Sequence, residues 1–258
     1  MVTQEPFAHD DADGTVLAHR CTGCGTSTAA GHRHTCTATG IVEFGAFGAH
    51  TLSSTMYPTP DTPPVAALTY LALGLLGEAT EALEKSVAVP RRNVHAEGDG
   101  TAGDLISELG DVAWYLTRLC LVLTHHDPTA EQPITTDAAL VALSTLLDHA
   151  AAEDDASDGS GDVVGAAGRQ VPGCEVGDLV VAAGRLAEHV KKMIRDDHGT
   201  LTPARHTLLL QHAVAALSAW LGVHTRLGLD YRRTWEANID KVDSRRSRGT
   251  MAGSGDRR

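Results

Sequence analysis

Two long runs of apolar side chains at helical spacing constrain this chain more than any other feature. In the first, Leu68, Leu71, Leu75, Ala79, Ala82 and Leu83 recur every three or four residues, the period of one face of an α-helix. In the second, Leu105, Leu109, Val112, Leu116, Leu119 and Val122 do the same. Stripes of this kind have to be covered by other helices. Aromatic residues make up only 4% of the sequence, against a hydrophobic content of 42% that is rich in Ala, Leu and Val. That mixture suits packed helices better than a sandwich or barrel. The expected fold class is all-α, a helical bundle.

Punctuation residues set the expected boundaries. Pro63 opens the first helix and Pro90 stops it, so it should cover about 63–89. Glycines at 98, 100 and 103 mark a loop, and the second helix should span about 102–124. Further helices are expected over about 137–152, 176–195, 203–227 and 230–245. Residues 153–172 are acidic and rich in Gly and Ser, the composition of a flexible linker. Residues 1–50 have no helical period and read as loop or tail. The domain plan is then a flexible N-terminal segment (1–54), a first helical unit (55–127), a helix with a linker (128–175), a second helical unit (176–248) and a tail (249–258).

The net charge of −12 argues against nonspecific binding to nucleic acid or anionic membranes. No basic region followed by an apolar run opens the chain, so no signal peptide is expected. No stretch reads as apolar for long enough to span a bilayer. Five cysteines, unevenly placed, fit a cytoplasmic protein with reduced thiols. Cys21 and Cys24 form a C-x-x-C followed by His32, His34 and Cys36. Thiolate and imidazole at such spacing suit a small zinc knuckle. With no second clean pair, a segment with incidental thiols is the competing reading. Cys120 lies within a helical stripe and reads as a buried thiol.

The candidate chemistry lies between the two stripes. Glu78 and Glu81 are three residues apart on the first helix, and Glu108 and Asp111 three apart on the second. Residues at that spacing share a helix face, with Cβ atoms roughly 5–6 Å apart. Two such helices side by side would bring four acids together. Crowded carboxylates repel one another unless a cation joins them, and magnesium prefers oxygen ligands of this kind. Spacing alone also fits ordinary solvent-facing acids. Trp114 and Tyr115 read as core or rim packing, with base stacking as an additional role open to one of them.

The two halves of the sequence look alike. Gly77-Glu-Ala-Thr-Glu-Ala-Leu-Glu-Lys85 aligns without a gap on Gly184-Arg-Leu-Ala-Glu-His-Val-Lys-Lys192. Glu81 matches Glu188 and Lys85 matches Lys192, but Glu78 becomes Arg185. Farther on, Glu108 and Asp111 fall opposite His212 and Ala215. The second copy would keep the helical hairpin and lose three of the four acids.

The strings Leu71-Ala-Leu-Gly-Leu-Leu-Gly-Glu-Ala-Thr-Glu81 and Glu108-Leu-Gly-Asp-Val-Ala-Trp-Tyr-Leu116 resemble the MazG-like all-α nucleotide pyrophosphohydrolases, which carry E-x-x-E on one helix and E-x-x-D on the next. Thr55-Met-Tyr-Pro58 looks like the lead-in segment of phage-type members. Asn238-Ile-Asp-Lys-Val-Asp-Ser-Arg245 is similar to the family's Asn-x-x-Lys-x-x-x-Arg, and Arg248 to Arg257 to its glycine-containing tail. The resemblance covers roughly 55–125 and 227–258. It implies hydrolysis of a nucleoside triphosphate to a monophosphate and pyrophosphate, with Mg2+ or Mn2+ held by Glu78, Glu81, Glu108 and Asp111. Glu81 is then the candidate base, and Lys85, Asn238, Lys241 and Arg245 the candidate substrate-binding residues.

The chain departs from simple members of that family by an insertion between the acids and the Asn/Lys/Arg segment. One half has the acids and the other the segment. A tandem pseudo-dimer with one composite site is therefore expected, alone or further paired as a homo-oligomer. The competing expectation is a catalytically inactive relative that serves in nucleotide sensing or protein interaction.

Overall fold

In the computed structural model the described residues are 19–20, 27–28, 37–54, 57–59, 61–88, 100–132, 134–142, 145–146 and 173–250. The chain divides into two compact units, Met1–Phe44 and Gly45–Arg258. In the first, His19–Arg20 and Ser27–Thr28 pair antiparallel, with His19 opposite Thr28. Cys21, Cys24, His32, His34 and Cys36, the expected zinc knuckle, lie outside the described residues.

Helices make up the second unit. They are α1 (Thr37–Ser54), which begins just before it, α2 (Pro64–Ala88), α3 (Gly100–His125), α4 (Gly173–Asp196), α5 (Pro203–Leu227) and α6 (Tyr231–Ser247). A short helical stretch covers 136–142. The all-α expectation is met, and α2 to α6 lie within a few residues of their expected spans. The boundaries have local causes. The Thr202 side chain accepts from the Arg205 N–H at 3.2 Å, with Pro203 at the first helical position. Gly228, at φ 65°, ends α5 in the left-handed conformation that glycine adopts without strain. The Asp230 side chain then caps α6 by accepting from the Arg232 N–H at 3.0 Å.

The loop expected over 1–50 does not hold for 37–54, which is helical. Packing overrides composition there. Phe47 is 1% exposed and stacks on Trp235 with ring centroids 5.6 Å apart. Burying a side chain of that size is worth about 1.5–3 kcal/mol, enough to offset the glycines that hide the helical period.

The helices form two hairpins. α2 packs on α3, α4 on α5, α2 on α4 and α3 on α5, while α6 lies against α3. Leu68, Leu71, Leu75, Leu105, Leu109, Leu116 and Leu119 are fully buried at the centre. Their counterparts follow the sequence alignment. Leu105, Leu109, Val112, Ala113, Leu116 and Leu119 match Leu209, Ala213, Ala216, Leu217, Trp220 and Val223, and every one of these residues is buried.

Two helical segments, Pro64–Val87 and Pro203–Leu227, are long and apolar enough to cross a membrane by length and composition, each with mean hydropathy 1.2. This differs from the sequence expectation. Within them Leu68, Leu71, Leu75, Leu209, Leu217 and Leu221 are buried in the bundle, while Leu73 and Leu208 are exposed.

Aromatic and hydrogen-bonded anchors hold α6 in place. Trp235 stacks on Trp220 with centroids 6.2 Å apart and planes 9° apart. Trp220 Nε1 donates to the Leu109 carbonyl at 3.0 Å, tying α5 to α3. His224 Nδ1 donates to the Trp220 carbonyl at 2.8 Å, so its neutral Nε2 accepts from the Thr234 hydroxyl at 2.9 Å. Burial pushes the His224 pKa down to about 4 and keeps the ring neutral.

Candidate metal centre

Packing of α2 on α3 places the acids. Glu78 and Glu81 project from α2 and Glu108 from α3, with one carboxylate oxygen of each within 4.8 Å of the others. The three environments differ. Glu81 is exposed, Glu78 half-buried and Glu108 only 3% exposed. Burial, reinforced by the charges of Asp111, Glu81 and Glu108, raises the Glu78 pKa to about 8. Lys241 opposes that rise.

Asp111, one turn past Glu108, has a different surrounding. Asn238 Nδ2 donates to its Oδ1 at 2.8 Å, and Lys241 Nζ forms an ion pair with its Oδ2. Lys241 Nζ also donates to the Ser107 hydroxyl at 3.1 Å. Asn238 and Lys241 come from α6, more than a hundred residues downstream, and both reach the edge of the acidic cluster. Both bond to Asp111 and hold this carboxylate in place. The tight three-carboxylate group is Glu78, Glu81 and Glu108, with Asp111 beside it.

This contact depends on how closely α6 approaches α3. A Cβ on Gly110 would lie 2.9 Å from the Thr234 carbonyl oxygen and 3.0 Å from Asn238 Cβ. Only glycine lets the Asn238 backbone come near enough for its amide to meet Asp111. A second close approach lies on the other flank, where a Cβ on Gly74 would sit 2.1 Å from the Tyr115 ring.

Tyr115 belongs to an aromatic rim beside the acids. Its ring is 6.0 Å from Tyr70 and 5.0 Å from Trp114, and Tyr70 meets Tyr57 edge-on at 4.9 Å. Tyr57 and Tyr70 are exposed. Burial, the Tyr70 hydroxyl and the nearby Glu78 and Asp111 charges all raise the Tyr115 pKa above its ordinary value. Sequence reasoning singled out Trp114 and Tyr115, and quoted Tyr57 only as part of Thr55-Met-Tyr-Pro58; Tyr70 belongs to no motif it used.

The other expected residues sit at the margins. Lys85 is half-buried one turn past Glu81, and among the described residues no hydrogen bond or ion pair joins it to the acids. Arg245 lies one turn past Lys241, where its carbonyl accepts from the Thr250 N–H at 2.9 Å.

The donor set fits a hard divalent cation. It offers carboxylate oxygens alone, clustered closely, with one acid driven toward its protonated form by burial and then by the neighbouring acid charges, which a cation would neutralise. Comparison with protein-family models, curated proteins and solved structures found no match for this chain.

Proposed function

We propose that this chain is a metal-dependent nucleoside triphosphate pyrophosphohydrolase, converting a nucleoside or deoxynucleoside triphosphate and water to the monophosphate and pyrophosphate. The observation that carries this reading is the meeting of Glu78, Glu81 and Glu108 with an Asp111 tied to Asn238 and Lys241. The motif resemblance rests on these same residues and supports the same reading.

Glu78, Glu81 and Glu108 would hold Mg2+ or Mn2+ through their oxygens. A bound divalent cation would screen the phosphate charge and make a water more acidic. Glu81, the most exposed of the three, accepts the proton of the attacking water. Asp111 is oriented by Asn238, and Lys241 adds a positive charge where the triphosphate arrives. Tyr57, Tyr70 and Tyr115 offer ring faces on which a base can stack, a contact open to any base.

The two hairpins, with their matched buried positions, read as a duplicated unit fused into one chain. Only the first keeps all four acids, and α6 completes the site across the pair. A panel of nucleoside triphosphates with Mg2+, scored for pyrophosphate against orthophosphate, tests the reading. Equimolar monophosphate and pyrophosphate are expected. Orthophosphate as the first product contradicts it, and tight nucleotide binding without turnover would favour an inactive sensor.

A further inference from the structure

A buried cation lies away from the acids. Arg118, two turns beyond Asp111 on α3, is 5% exposed. Its Nη2 donates to the Pro58 carbonyl at 2.8 Å, and its Nε is buried with no hydrogen-bond partner. Among the described residues no carboxylate pairs with it, and burial alone lowers its pKa, to about 10. An unpaired charge withdrawn from water is costly, so buried arginines ordinarily have an anionic partner. The link to Pro58 explains why a donor stands here but does not neutralise the charge.

Arg118 also lines a cavity of about 160 Å³. Leu52, Ala67 and Leu121 give it apolar walls, while Thr59, Thr62 and His126 add polar atoms. Burial and the neighbouring His125 lower the His126 pKa, which favours its neutral ring. A cavity of about 150 Å³ is enough for a single benzene ring.

We propose that this cavity binds a compact oxyanion with an apolar body, its carboxylate or phosphate head on Arg118 and its body against Leu52, Ala67 and Leu121. The guanidinium supplies charge-assisted donors to the oxyanion, and the ligand supplies the negative charge missing from the protein. This inference does not rest on the pyrophosphohydrolase reading.

Calorimetric titration of the full chain with benzoate, phenyl phosphate and benzyl alcohol tests it. At least one of the two anions should bind at one per chain, at least tenfold more tightly than benzyl alcohol, and its binding should weaken at least tenfold in Arg118→Met. The better anion identifies the head group. Failure of both anions to bind, equal binding of benzyl alcohol, or unchanged binding by Arg118→Met would each overturn the proposal. If circular dichroism shows that Arg118→Met does not fold, Val122→Phe fills the cavity from its half-buried wall. It should cause the same loss, and undiminished binding overturns the proposal.

Discussion

The α2–α3 and α4–α5 hairpins share a packing pattern and differ in chemistry. Leu105, Leu109 and Leu116 align in sequence with Leu209, Ala213 and Trp220, and all six are buried. At the site positions, Glu78, Glu81, Glu108 and Asp111 face Arg185, Glu188, His212 and Ala215. In the second hairpin Glu188 pairs with Lys191 and Lys192, and His189 stacks on His212 with centroids 4.3 Å apart. Apolar spacing preserves the hairpin, and it leaves the polar face free to change. The close contacts differ too. Gly74 admits Tyr115 in one hairpin, while Val181 and Ala219 stand at the matching positions of the other.

The sharpest break of this comparison is a matched pair of substitutions. Glu81→Gln should lower pyrophosphate release by about 10²–10⁴-fold, the usual contribution of a general base. Glu188→Gln, at the matching half-buried position, should change it by less than about twofold, because no acid cluster surrounds it. Steady-state rates at saturating Mg2+ decide between them.

A pH series on metal binding comes next. Below about 8, Glu78 carries a proton that a cation must displace. Affinity for Mn2+ should therefore rise by up to about tenfold per pH unit as pH approaches 8, then level off. Proton release measured by calorimetry in buffers of different ionisation heat should show this, and Glu78→Gln should remove the dependence.

Packing offers a third contrast. Gly110→Ala should cost about 1–3 kcal/mol in denaturant unfolding, because the new methyl group meets the Thr234 carbonyl and Asn238. It should also lower turnover by moving Asn238 off Asp111. Val214, at the matching place on α5, already carries a branched side chain, and Val214→Ala should cost no more than about 1 kcal/mol.

The smallest effect separates His224 from its counterpart Cys120. Unfolded histidine takes up a proton near 6.5, whereas His224 in the fold resists until about 4. Protonation therefore favours the unfolded chain as pH falls between these values, by at most about 1.4 kcal/mol per unit. Unfolding midpoints at pH 7.5, 6 and 5 should show the loss, and His224→Gln should flatten it. Burial pushes the Cys120 thiol up to about 12, so it contributes nothing over this range.

The helices were legible because their signals are local. Thr202-Pro203, Gly228 and Asp230 act within a turn of themselves, and the leucine stripes repeat at 3.6 residues whatever they pack on. α1 was not legible, since its stability comes from Phe47 meeting a tryptophan far along the chain. The acids were legible as spacing and motif. That Asp111 is held by Asn238 and Lys241 depends on where α6 settles. The same holds for Gly110 and the tyrosine rim, whose meaning comes from neighbours set by the fold.

Anomalous diffraction from crystals of the full chain soaked in Mn2+ tests the central claim most directly. A peak bounded by the carboxylates of Glu78, Glu81 and Glu108, with Asp111 still joined to Asn238 and Lys241, is the predicted result. No peak there, or a peak at Glu188 and His212, would contradict the assignment of the metal chemistry to the first hairpin.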